Sequence, residues 1–221
     1  MTRYVISPHL DDAVLSCSAL LVDNPGSTVV TVFSADPPDN VVLTPWDQQC
    51  GFASSSLAPL NRRKEDQAGV TLLGAQPIWL NFQDHQYGCI SPTELIVAAL
   101  DRVIPNNAVV VGPVGLTHPD HIQVAAACWH LQRHLPGSRT FYAYADVPYR
   151  AMNDGRELVA RLQALATSGV SLLAVNGPTR VVQRAEKLAA LRCYASQLVA
   201  LGTSDLDIDD CLRPEQLWRL T

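Results

Sequence analysis

The chain has 221 residues, 48% hydrophobic and 17% charged, with a formal net charge of -5 and a pI of about 5.6. That is enough chain for one sizeable core, so residues 1–221 are expected to form a single α/β domain. The acidic balance argues against a nucleic-acid binder, which would present a basic face; no run approaches a membrane span, and with no leader pattern after Met1 the expected location is the cytoplasm.

In chain order, residues 4–7 are a short β-type run that stops at Pro8, and residues 12–21 read as a helix of small and apolar side chains. Residues 28–34 (TVVTVFS) are continuously β-branched and aromatic, as a buried parallel strand is. Residues 35–60, rich in Pro, Asp, Asn and Ser, are expected to be a long functional loop. Then follow a helix over 61–73 stopped by Gly74, a strand over 77–82, a helix over 92–104, a strand over 108–111, a helix over 118–134 and a strand over 139–144. A helix over 156–167, a strand over 171–175 and a long helix over 181–201 complete the alternation. The tail after Gly202 holds Asp205, Asp207, Asp209 and Asp210, expected to be a solvated turn; it lacks the central Gly and terminal Glu of a calcium loop. Strand–helix alternation predicts a mainly parallel central sheet covered on both faces, with the site at the carboxyl ends of the strands. The six cysteines form no CxxC pair and are expected to be free buried thiols.

Two clusters carry the chemistry. The first strand runs into Ser7-Pro8-His9-Leu10-Asp11-Asp12, where a dinucleotide-binding protein would place glycines. Thr117-His118-Pro119-Asp120-His121 follows the strand at 108–111 and opens a helix. A hydrolytic zinc site takes three protein ligands and keeps one position for water. His9 and Asp12, three apart, with His121, could form such a set. Asp11 would then be free to take a proton from the attacking water, and His118 to stabilise the oxyanion. Capping is the plain alternative: Asp11 or Asp12 could cap the following helix, and Thr117 with Asp120 resembles a capping box with Pro119 at the first helical position. Capping gives no reason for His9, His118 or His121. His130 and His134 sit two to three turns down their helix, roughly 13 to 20 Å from its start, and are expected at the surface. His85 could line the pocket or lie on a surface loop.

These residues resemble the LmbE-like (PIG-L) deacetylases. Pro8-His9-Leu10-Asp11-Asp12 is similar to that family's first motif and His118-Pro119-Asp120-His121 to its second; residues 62–68 and Leu73-Gly74 resemble its Arg/Glu helix, and Lys187, Tyr194, Ser196 and Gln197 its final helix. The resemblance spans roughly residues 4–200. It implies a Rossmann-like three-layer fold and one zinc ion per chain, with iron(II) able to take the same site where supply favours it. It further implies His9, Asp12 and His121 as ligands, Asp11 as general base, His118 as oxyanion partner and Asp120 as the group that orients a histidine. The implied substrate is a small N-acylated aminosugar or glycoconjugate. A different small-molecule amide, such as a thiol conjugate or natural-product intermediate, is the alternative, and a non-catalytic sugar-binding relative the remoter one. Leu10 stands where the family has Pro, and Ala13 where it has Glu. Arg62, Tyr144 and Tyr149 are the candidate substrate contacts, with the 35–60 loop and residues 144–149 shaping the pocket.

Overall fold

The computed structural model describes residues 2–134, 139–177, 184–202 and 208–221. In chain order the elements are β1 (Arg3–Ser7), α1 (Asp12–Asp23), β2 (Thr28–Phe33), α2 (Pro45–Gln49), α3 (Ala58–Leu72), β3 (Gln76–Phe82), α4 (Thr93–Val103), β4 (Val109–Pro113), α5 (Pro119–His134), β5 (Thr140–Tyr144), α6 (Arg156–Thr167), β6 (Leu172–Val175), α7 (Arg184–Leu191), α8 (Ala195–Ala200), α9 (Ile208–Cys211) and β7 (Leu217–Leu220). The strands form one sheet in the order β3-β2-β1-β4-β5-β7-β6. The first five are parallel; β7 runs antiparallel between β5 and β6. The mainly parallel α/β sheet flanked by helices is as expected.

Chain order along the sheet reverses between β1 and β4: β2 and β3 lie to one side, β4 and β5 to the other. The loops after β1 and β4 therefore part in opposite directions and leave a crevice at the strands' carboxyl ends. Both motif clusters sit there. Val29, Val30 and Val32 of β2, with Val110 and Val111 of β4, are buried because helices cover both faces of the sheet. One core joins alternate residues of β5 (Phe141, Ala143) to α4, α5 and α6; the other joins Tyr144 to α1, α3 and α7.

Several expectations are corrected. Residues 35–60 are not all loop: they contain α2, capped by the Thr44 hydroxyl, which accepts from the Asp47 N–H at 3.1 Å, and the first turn of α3, which Pro59 enters at no cost because that turn's N–H groups have no helical partner. The tail holds β7, which the sequence reading missed. Of the expected 181–201 helix, residues 181–183 lie outside the described residues and the rest divides into α7 and α8. Asp205 and Asp207 also lie outside them, while Asp210 is no solvated acid but pairs with Arg150 at 3.1 Å. Cys17, Cys50, Cys128 and Cys211 are buried, as expected, but Cys89 is exposed and Cys193 half-buried. Among the described residues, no helix is long and apolar enough to cross a membrane.

Candidate metal centre and active site

β1 delivers its cluster through a tight junction. The Ser7 hydroxyl donates to the His9 carbonyl at 2.7 Å and accepts from the Ala13 N–H at 3.0 Å. Ser7 thus serves the start of α1, and the Asp11 side chain makes no capping bond. The capping alternative for Asp11 is excluded, and its carboxylate has no hydrogen-bond partner among the described residues. Asp12 Oδ2 accepts from the His9 backbone N–H at 2.7 Å and lies 3.2 Å from both His9 Nδ1 and His121 Nε2.

β4 delivers the second cluster through strain. Thr117 adopts φ 54, where a β-branched residue is an outlier of the kind found at functional sites. His118 N–H donates back to Leu116 O at 2.5 Å, and the His118 side chain lines the crevice. α5 begins at Pro119 as expected, but the capping box is not made: Asp120 Oδ2 accepts from His9 Nε2 at 2.9 Å and from the His85 N–H at 3.2 Å. The Asp120 N–H donates to His118 Nδ1 at 3.2 Å, so the proton of a neutral His118 lies on Nε2.

The neighbouring strands add carboxylates the sequence reading missed. Asp84, after β3, lies 3.7 Å from the Arg62 guanidinium and 3.9 Å from His9 Nε2. Asp146, after β5, accepts from His121 Nδ1 at 2.6 Å. Neither was singled out, although Asp84 stands beside His85 and Asp146 lies within the 144–149 segment expected to shape the pocket. Arg62 reaches in from the buried face of α3, which also carries Asp66 and Gly69.

His9, Asp11, Asp12, Arg62, His118 and Tyr149 line one cavity of about 160 Å³, together with Trp46 of α2, Pro148, Gln86 and Gln197. His121 and Asp120 stand behind them. The structure removes Tyr144 from the candidate contacts: it is fully buried, and its hydroxyl donates to Ile6 O at 2.9 Å. The β5 pleat turns it into the core with Tyr142, towards α1. Tyr149, beyond the strand, sets its ring edge-on to His121 at 4.9 Å. The His85 side chain is exposed, with its Nδ1 4.0 Å from Asp120 Oδ1; the closer tie to the site is its backbone N–H. His130 and His134 are exposed, their rings 3.9 Å apart. A larger cavity of about 420 Å³ opens among Arg3, Asn24, Val109 and Gly177, near the opposite ends of β1 and β4, and gathers no histidine.

The electrostatics favour a cation at the cluster's centre. Burial would lower the His121 pKa, but Asp12 and Asp146 outweigh it and raise it to about 9. His9 is likewise raised against burial, by Asp84, Asp12 and Asp120. Burial opposes ionisation of Asp12, yet His121 and His9 hold it well below the usual carboxylate range. Protons are thus drawn to the place where a metal ion would carry the positive charge instead. His121 Nε2 is buried and, among the described residues, makes no hydrogen bond, although Asp12 Oδ2 lies 3.2 Å away; a buried polar atom left so is costly unless something else fills that position. His9, Asp12 and His121 each offer a donor atom within 4.8 Å of the others, and imidazole with carboxylate suits a zinc-like divalent ion. His9, His118 and Asp120 form a second such grouping, but there His9 Nε2 and Asp120 already satisfy each other. Burial and the adjacent Asp12 push Asp11 up to about 7, with Arg62 opposing. Burial and the His9 ring depress His118 to about 4, so it is neutral, a hydrogen-bond donor and not a cation.

Residues 4–131 match the family model described as PIG-L, GlcNAc-PI de-N-acetylase. The chain belongs to this family, a family of metal-dependent deacetylases, which are amidohydrolases. It is similar over 100% of its length, and 97% of the other's, to the crystal structure of the A40926 pseudoaglycone deacetylase Dbv21, at 26% identity and TM-score 0.72. The zinc inhibited form of teicoplanin deacetylase Orf2 is 24% identical, with 100% and 98% covered and TM-score 0.74. N,N'-diacetylchitobiose deacetylase from Pyrococcus horikoshii shares the fold at 17% identity, with 100% and 83% covered and TM-score 0.54. No curated protein matches the chain.

Proposed function

We propose that the protein is a zinc-dependent N-deacetylase acting on a small molecule that carries an N-acetylated aminosugar. The observation that carries this reading is the convergence of His9 Nδ1, Asp12 Oδ2 and His121 Nε2 beside an unpaired Asp11 carboxylate. His9, Asp12 and His121 would hold the ion, which supplies Lewis acidity when bound, polarising the amide carbonyl and easing deprotonation of water. Asp11 takes the proton of the attacking water and returns it to the departing nitrogen, so that amide and water become carboxylate and amine. Its pKa near 7 suits both halves of that task. His118 donates its Nε2–H to the oxygen that gains negative charge, while its Nδ1 is held by Asp120. Asp120 also holds His9 by Nε2, which leaves Nδ1 for the ion.

The aminosugar rests on two supports. The relatives act on an A40926 pseudoaglycone, on teicoplanin and on diacetylchitobiose, by their names. The cavity walls also suit a sugar: Trp46, Pro148 and Tyr149 give apolar faces for the ring's C–H surface, and Gln86 and Gln197 give hydrogen bonds for hydroxyls. Arg62 and Tyr149 would touch the substrate.

The test is elemental analysis of the purified chain beside His121→Ala, followed by amine release from a panel of N-acetylated aminosugars and unrelated amides. About one zinc per chain, lost in the variant, with release confined to the sugars, is the expected result. Turnover of only the unrelated amides would replace the substrate class, and absence of metal from both proteins, with none taken up on adding zinc, would remove the metal centre.

A further inference from the structure

Asp146 is fully buried and lies two residues past the end of β5. Both its carboxylate oxygens are used. Oδ1 accepts from His121 Nδ1 at 2.6 Å, and Oδ2 accepts from the Gly115 N–H at 3.0 Å. Gly115 has φ 83, and a Cβ there would lie 2.8 Å from Ala125 Cβ and 3.0 Å from the His121 carbonyl oxygen. Only glycine lets the loop after β4 come close enough to pin the carboxylate in this way. The backbone on either side is tied as well: the Arg150 N–H donates to the Asp146 carbonyl at 2.7 Å, and the Val147 N–H donates to Ser16 Oγ at 3.1 Å.

A carboxylate accepts only, so this bond keeps a proton on His121 Nδ1 and leaves Nε2 as the nitrogen that gives up its proton and turns its lone pair to an ion. Nε2 is the atom that is buried and, among the described residues, makes no hydrogen bond, 3.2 Å from Asp12 Oδ2. His9 is held the opposite way round, with Nε2 towards Asp120 and Nδ1 towards Asp12. Two imidazoles, one on the loop after β1 and one in the first turn of α5, thus turn different nitrogens to one point, each held from behind by its own buried acid.

We infer that Asp146 is a positioning residue: it fixes the tautomer and ring angle of His121 so that Nε2 is presented as a metal ligand. It also joins that ligand to the pocket wall, because the chain passes directly from Asp146 to Pro148 and Tyr149, which line the cavity. The inference rests on the proposed ligand set of His9, Asp12 and His121.

Asp146→Asn separates the possibilities. The amide has a single acceptor oxygen. If that oxygen serves His121, the NH2 group faces the Gly115 N–H; if it serves Gly115, the NH2 group faces His121 Nδ1 and favours the wrong tautomer. Zinc affinity would be measured by competition with a chromophoric chelator, and the His121 tautomer by nitrogen–proton NMR of the zinc-loaded protein. The expected result is zinc binding 10- to 100-fold weaker than wild type, the usual cost of losing such a partner, with loss of the His121 Nδ1–H signature. In a His121→Ala background the same substitution should weaken zinc no further. A merely structural role would lower thermal stability and leave affinity and signature unchanged, and that outcome overturns the inference. A wild type that binds no zinc would instead strike down the ligand set itself. If Asp146→Asn does not fold, the zinc-loaded wild type decides alone: a His121 Nδ1–H resonance shifted far downfield and protected from exchange, as a bond to a buried carboxylate makes it, supports the inference, and an Nδ1–H at the ordinary position that exchanges freely overturns it.

Discussion

Gly69 sits in the middle of α3, where glycine costs about 1 kcal/mol relative to alanine, so Gly69→Ala should stabilise the helix on propensity alone. The packing reverses that sign. A Cβ at this position would lie 2.4 Å from Tyr194 Cε2 and 2.9 Å from both Cζ and the hydroxyl. The Tyr194 ring is 2% exposed, and its hydroxyl donates to Asp66 Oδ1 at 2.9 Å, so it can neither swing into solvent nor slide without losing that bond. Overpacking costs about 1–3 kcal/mol and the weakened hydrogen bond about 1 kcal/mol. Set against about 1 kcal/mol of propensity gain, Gly69→Ala should destabilise the protein by about 2 kcal/mol, or roughly 4–8 °C in Tm for a chain of this size. Urea unfolding of the metal-free and zinc-loaded forms measures it. In a Tyr194→Ala background the obstacle is gone, and the same substitution should become stabilising by up to about 1 kcal/mol. A gain in stability from Gly69→Ala with Tyr194 present would refute the steric argument.

Other outcomes follow from the site. Asp11→Asn should keep its zinc and lose amine release by roughly 10²- to 10⁴-fold, the usual share of a general base; a loss under tenfold would take the proton-transfer role from Asp11. Stripping the ion with a chelator should lower the stability of the wild type, by about 2.7 kcal/mol if zinc had been present at 100 times its Kd. Zinc should restore it, and His121→Ala should show no such shift in paired melts. Asp66 gives a pH effect: burial pushes its carboxyl up to about 6, although Trp79 and Tyr194 donate to it. The folded chain then holds that proton more tightly than the unfolded chain, so wild-type stability falls as pH rises from about 4 through about 6, by roughly 3 kcal/mol in all. Asp66→Asn, which cannot ionise, should gain on the wild type by that amount over the same window. A stability difference between the two that stays constant with pH would contradict the shift.

The parts of the site legible in the sequence were those in which several polar residues follow a strand within a few positions. His9 with Asp11 and Asp12, and His118 with Asp120 and His121, are local patterns, and strand–helix alternation is enough to bring two such junctions to one crevice. Asp84 and Asp146 belong to no pattern. Each is a single acid beyond a strand end, and its meaning arises only when the sheet order β3-β2-β1-β4-β5 sets all four junctions side by side. Tyr144 failed as a pocket residue for a related reason. Residues 144–149 do shape the wall, but alternation along β5 turns Tyr144 into the core and leaves that place to Tyr149. β7 was illegible because four residues, Leu217–Leu220, are too few to show a period. It runs antiparallel to β5, ending the parallel pattern at the edge away from the crevice. Ala13 has a physical reading too: it is 2% exposed and packs in the core beneath α1. Its side chain therefore faces the core and not the cavity, so position 13 adds no acid to the charge around His9, Asp12 and His121.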